Sequence, residues 1–127
     1  MAKWTNDSGL DAALDWFADC DELNVCSAQP TTYTEAITTY KLADVTVTAG
    51  DGNGDFTIAN GDASGRKLTV GAQTGITVDT SGTATHLAGV KSGDSTLRWV
   101  TPVTSQALTS GNTVDTPAFD LEIGDPT

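Results

Sequence analysis

The sequence predicts an all-β domain, a β-sandwich of Ig-like or jelly-roll-like type, preceded by one short N-terminal α-helix. Three observations carry that prediction. Threonine, glycine, serine and alanine are abundant while long helix-forming runs are scarce. Turn signals recur along the chain: Asp51-Gly, Asn53-Gly, Asn60-Gly, Ser64-Gly, Ser81-Gly, Ser92-Gly-Asp and Ser110-Gly-Asn. Gly and Asn supply the positive φ that tight turns need, so short strands between such signals argue for a sandwich or barrel. The third observation is a single helical period near the start. The 127 residues suit one domain, with residues 1–22 as arm and helix and residues 23–127 as the β body.

The helix is expected over residues 7–20. Leu10, Ala13, Leu14, Phe17 and Ala18 recur at helical spacing, and Asp7 or Ser8 can cap the first turn. Asp11, Asp15 and Asp19 lie four apart on another face. Like charges at that spacing cost an isolated helix about 0.2–0.5 kcal/mol per pair, so the stripe is either a solvated face or a surface kept for a partner. Glu22–Ala28 alternates as a first strand, and Thr34–Tyr40 reads as a second, weaker helix. Strands are then expected at Lys41–Thr48, Phe56–Ala59, Arg66–Val70, Ile76–Asp79, Thr83–Lys91, Thr96–Thr101 and Phe119–Ile123. Trp16 and Trp99 fall on such elements and are expected in the chain's own core. Trp4 precedes the helix cap in a segment too polar to fold alone. It either staples onto the chain's own helix or orders against a neighbour.

Charge narrows the function. Six basic residues stand against seventeen acidic ones, a net charge of −11. Such a chain is repelled by phosphate backbones and by anionic membrane surfaces, and it suits a basic protein surface as partner. No apolar run approaches a membrane span and no targeting segment is visible, so synthesis in a cytoplasm is expected. One bridge between Cys20 and Cys26 is possible; the alternative, favoured by the missing targeting segment, is two partly buried thiols in a reducing compartment. His86, the one histidine, lies in an expected strand with no nucleophile motif around it. Gly-x-Ser-x-Gly and the phosphate-binding glycine series are absent, so no enzyme and no cofactor are expected.

One stretch invites a metal. Asp51, Asn53 and Asp55 take positions 1, 3 and 5 of a calcium loop and Asp62 takes position 12. Position 6 is Phe56 where an EF-hand needs Gly, and the flanks are strand-like. The helical motif is rejected. A looser Asp-x-Asn-x-Asp calcium loop remains an alternative to a plain turn leading into a strand.

The segment from Ser81 has a specific order. Gly-Thr-Ala-Thr-His-Leu-Ala enters a strand, Ser92-Gly-Asp turns, and Leu97-Arg-Trp-Val leaves. Ser110-Gly-Asn-Thr-Val then leads to Pro117-Ala-Phe-Asp-Leu-Glu-Ile. This resembles a group of small tailed-bacteriophage virion proteins, labelled tail-fibre or head-decoration proteins, in which a short helix precedes a β-sandwich. The front end is similar, with a helix at Leu10–Phe17, a strand near Leu23–Ala28 and a turn at Pro30. The resemblance implies a capsid decoration, or cement, protein on the outer face of the major capsid protein, as a homotrimer. The candidate contacts are Trp4, Asp11, Asp15, Trp16 and Asp19. The alternative is a tail or fibre component that binds a receptor or carbohydrate, with calcium in the Asp51–Asp62 loop.

Overall fold

The computed structural model describes residues 3–126. Its element order is α1 (Asp7–Ala18), β1 (Glu22–Cys26), a π-type helical turn (Glu35–Thr39), β2 (Lys41–Thr46), β3 (Phe56–Asn60) and β4 (Arg66–Val70). Then follow β5 (Gln73–Thr77), β6 (Gly82–Lys91), β7 (Thr96–Leu108), β8 (Thr113–Thr116) and β9 (Phe119–Ile123). The chain is therefore mostly β with one N-terminal helix, as its composition predicts. Its strands form three sheets, ordered β2-β1-β6-β7, β3-β4-β9 and β5-β8. Contacts divide it into two compact units. One joins the N-terminal segment through Asp19 with Thr48–Ala72 and the segment from Pro117; the other joins Cys20–Val47 with Gln73–Thr116.

In the first unit, α1 packs on an antiparallel sheet. The register aligns Phe56, Val70 and Phe119, then Ile58, Leu68 and Leu121. Strand side chains alternate between faces, so these rows share one side of the sheet. Leu14 and Ala18 of the helix are buried, as are Phe56, Leu68 and Val70. The other side carries Thr57, Thr69 and Asp120, then Ala59, Lys67 and Glu122. Lys67 Nζ lies 2.7 Å from Asp62 and 3.5 Å from Asp120, and Thr69 Oγ1 donates to Asp120 at 2.7 Å.

In the second unit, β1 lies between β2 and β6, and its residues from Leu23 to Cys26 are all buried. Cys26, Ala36, Ala88 and Val90 form a cluster walled by Tyr33, Ile37, Tyr40, Leu97 and Val100. A reciprocal cap holds the π-type turn beside it. Thr32 Oγ1 accepts from the Glu35 amide at 3.1 Å, and the Glu35 carboxylate accepts from Thr31 N at 3.0 Å and Thr31 Oγ1 at 2.7 Å. Gly89 pairs with Trp99 across β6 and β7. A methyl group on Gly89 would collide with the indole, so the glycine is what lets the ring lie against the strand.

Several boundaries differ from the sequence expectation. The helix cap is Asn6, whose side chain accepts from Ser8 N, and the helix ends at Ala18. The first strand ends at Cys26, and the strand expected at Ile76–Asp79 lies at Gln73–Thr77. β7 continues from Thr101 to Leu108 despite Pro102, because an irregular register accommodates the proline. β8 was not anticipated; it is too short to show a period. Trp99 is in the core as expected, whereas Trp16 is not.

Candidate docking surface

Helix α1 presents two apolar faces. At 100° per residue, Leu14 and Ala18 point inward and Trp16 points away from them. Gly9, Ala12, Ala13 and Trp16 are all exposed and follow helical spacing along that outer side. Trp16 is 47% exposed and Trp4, ahead of the cap, is 78% exposed. Among the described residues, these two are the large apolar side chains left open to water. Trp16 is not loose: it meets Phe17 edge to face, with ring centroids 5.4 Å apart and planes at 80°. Such an edge-to-face pair helps to hold the indole in place.

The acidic residues of the helix have separate fates. Asp11 grips Arg66 of β4 with both oxygens, Nε to Oδ1 at 2.7 Å and Nη2 to Oδ2 at 3.3 Å. Arg66 Nη1 also donates to Asn60 Oδ1 at 2.8 Å. The Asp11 hydrogen bond pushes the Arg66 pKa above its ordinary value. Asp15 is exposed beside Trp16. Asp19 closes the helix, its amide donating to Trp16 O at 3.4 Å. Asp11 is thus tied to the protein's own sheet, while Trp4, Asp15 and Trp16 are exposed to solvent. Ala13, which helical spacing placed on the inner stripe with Leu14 and Ala18, is exposed on the outer side instead, beside Gly9 and Ala12. The unit that carries this face holds ten acidic residues against three basic ones, so its field favours a cationic partner.

The calcium-like stretch spends its side chains on its own backbone. Asp51 Oδ1 accepts from Ile58 N at 2.8 Å, and Asp55 Oδ2 accepts from Thr48 N at 2.7 Å. Asn53 Nδ2 donates to Ala49 O at 2.7 Å. Asp62 lies in the β3–β4 turn, where Lys67 holds it. Gly50, Gly52 and Gly54 all have positive φ, which lets the loop fold over these contacts. Among the described residues, no group of three or more His, Cys, Asp or Glu gathers as a metal site.

The groups with chemical potential elsewhere are dispersed. His86 Nδ1 lies 2.9 Å from Thr85 Oγ1. Cys20 and Cys26 are buried thiols, neither of them in a disulfide. Burial pushes the Cys26 pKa up to about 11, which keeps it protonated and unreactive. No protein-family model, no curated protein and no solved structure matches the chain.

Proposed function

We propose that the protein is a non-catalytic accessory subunit of a tailed-bacteriophage virion, a decoration or cement protein docking on the outside of the capsid. The observation that supports this most is the pair of exposed tryptophans, Trp4 and Trp16, on the unit with the larger acidic excess. Burying an aromatic side chain of this size is worth roughly 1.5–3 kcal/mol, and exposed indoles become anchors when a partner covers them. An acidic protein is repelled by packaged DNA, which favours the outer surface of the shell over the inner one. The partner is the major capsid protein, with further copies of this chain alongside. Modest single contacts then hold firmly through avidity. The finer architecture goes with this reading: a β-sandwich body that carries the helix as its docking element.

The test is binding to empty, mature capsids that lack the protein, across a salt series. Saturable binding that weakens with salt and falls at least tenfold in Trp16→Ala supports the reading. Unaltered occupancy in both Trp4→Ala and Trp16→Ala would remove it. The exposed rings also favour a second reading, a tail component whose indoles stack on a receptor or carbohydrate. No capsid binding, with Trp16 fluorescence that responds to host-surface glycan, selects that one.

A further inference from the structure

Asparagine followed by glycine is chemically fragile. The glycine nitrogen can attack the asparagine side-chain carbonyl carbon, and the absent glycine side chain leaves that approach unhindered. The chain holds two such pairs, Asn53-Gly54 and Asn60-Gly61, and the aspartate counterpart Asp51-Gly52, which closes the same ring more slowly. Asn6, Asn24 and Asn112 precede Asp7, Val25 and Thr113, whose side chains obstruct the attack.

The fold shields two of these three pairs. Gly61 N donates to Gly65 O at 2.9 Å. Asn60 pairs with Arg66 across β3 and β4, and its Oδ1 accepts from Arg66 Nη1 at 2.8 Å. Gly52 N donates to Phe56 O at 2.9 Å, while Asp51 Oδ1 accepts from Ile58 N at 2.8 Å. A nitrogen whose hydrogen is held by a carbonyl oxygen cannot turn on the side chain before it without local opening. At Asn53-Gly54 that hold is missing. The Gly54 amide has no hydrogen-bond partner among the described residues. Both residues are exposed, and Gly54 has open space where a Cβ would stand. The Asn53 side chain has one restraint, the exposed bond from Nδ2 to Ala49 O at 2.7 Å, and an exposed bond of this kind exchanges readily with water.

We propose that Asn53 is a site of spontaneous deamidation, and that the fold directs the reaction to Asn53 and away from Asn60. The Gly54 nitrogen bonds to Asn53 Cγ. The Cγ–Nδ2 bond breaks, and Nδ2 leaves as ammonia with the proton that Gly54 gives up. Water then opens the cyclic imide. Attack at the side-chain carbonyl gives aspartate; attack at the main-chain carbonyl gives isoaspartate, with the backbone routed through an extra methylene. Either product adds one negative charge to the unit with the larger acidic excess and removes the donor that Ala49 O now accepts from. The reaction needs no partner and does not depend on the docking reading.

The experiment is incubation of the full chain in mildly alkaline buffer, folded and in urea. Ion-exchange chromatography then follows the added charge, and peptide mass spectrometry locates it and separates isoaspartate from aspartate. In the folded chain Asn53 is expected to convert roughly tenfold faster than Asn60, while urea brings the two rates within about threefold of each other. Asn53→Gln is expected to abolish the acidic product of the folded chain, and Asn53→Asp to elute with one of the product peaks. Asn60 converting as fast as Asn53 in the folded chain overturns the proposal. So does an Asn53 that stays intact when folded over a period that converts it in urea, or an acidic product that persists in Asn53→Gln.

Discussion

Trp16 and Trp99 each lie on a regular element, yet the first is 47% exposed and the second 7% exposed. Trp99 lies opposite a glycine, whose missing side chain leaves room for the indole on the strand. Trp16 shares its helix side with alanines and a glycine that nothing covers. Side-chain chemistry is the same in both cases; what differs is whether a neighbouring strand or helix supplies the other wall. One ring is therefore part of the core, and the other stays half exposed.

Substitutions at these two rings test that contrast most directly. Trp99→Ala is expected to cost about 3–5 kcal/mol in urea unfolding, the range for emptying a large aromatic site. Trp16→Ala should cost less, no more than about 1.5 kcal/mol, the upper range for losing its edge-to-face pair with Phe17. Equal losses would end the distinction between a core ring and a docking ring. Gly89→Ala approaches the same pocket from the other strand. Overpacking against the indole should cost about 1–3 kcal/mol, and the loss should shrink in a Trp99→Ala background.

Polar contacts give smaller effects. The Asp21 carboxylate accepts from Ser92 N at 2.9 Å and from the Ser92 hydroxyl, which ties β1 to the β6–β7 turn. Burial alone would raise the Asp21 pKa, but the Ser92 hydrogen bonds outweigh it and hold the group below its ordinary 3.8. The unfolded chain thus takes up this proton more readily, so the stabilisation is present above pH 3.8 and is lost as pH falls through the folded value. Asp21→Asn should cost about 1 kcal/mol at neutral pH, with the deficit closing in acid. Glu22, next in sequence, runs the other way. Burial raises its pKa above 4.5, with the Asp44 charge adding to the rise. Its contribution is full below pH 4.5 and is lost as pH rises through the folded value. Glu22→Gln should therefore gain on the wild type as pH increases, the opposite slope to Asp21→Asn. Parallel slopes in thermal melts would refute both assignments.

The pair Asp11–Arg66 is partly exposed and screened by solvent, so a double-mutant cycle should return only a small coupling, smaller than the loss in Trp99→Ala. The smallest expected effect is that of calcium. With Asp51, Asn53, Asp55 and Asp62 bonded within the protein, added calcium or chelator should leave the melting temperature where it was. A calcium-dependent rise would mean that the loop gives up its backbone bonds to the ion.

Much of the molecule was legible residue by residue. The inner helical stripe, the Gly-containing turns and the strands Arg66–Val70 and Phe119–Ile123 follow from periods and turn chemistry that act over a few residues. Trp4 and Trp16 were both legible as candidate contacts, although the helical position of Trp16 also pointed to the core, where the structure does not place it. The acidic stripe was legible only as a pattern. Asp11 is taken out of it by Arg66, which lies 55 residues away. The loop at Asp51 matched a ligand spacing, while its hydrogen bonds run to Thr48 and Ile58 on either side of it.

The sequence by itself determined the β character, the single helix, the acidity and the positions of most turns, because each depends on local backbone preference or on a sum over residues. The tertiary structure alone decided which strands are neighbours, which tryptophan is covered, and that β7 runs past its proline at one end of the order β2-β1-β6-β7 among the described residues. Those outcomes depend on contacts between residues far apart in the chain, and pairing one strand with another fixes them through packing that no short window contains.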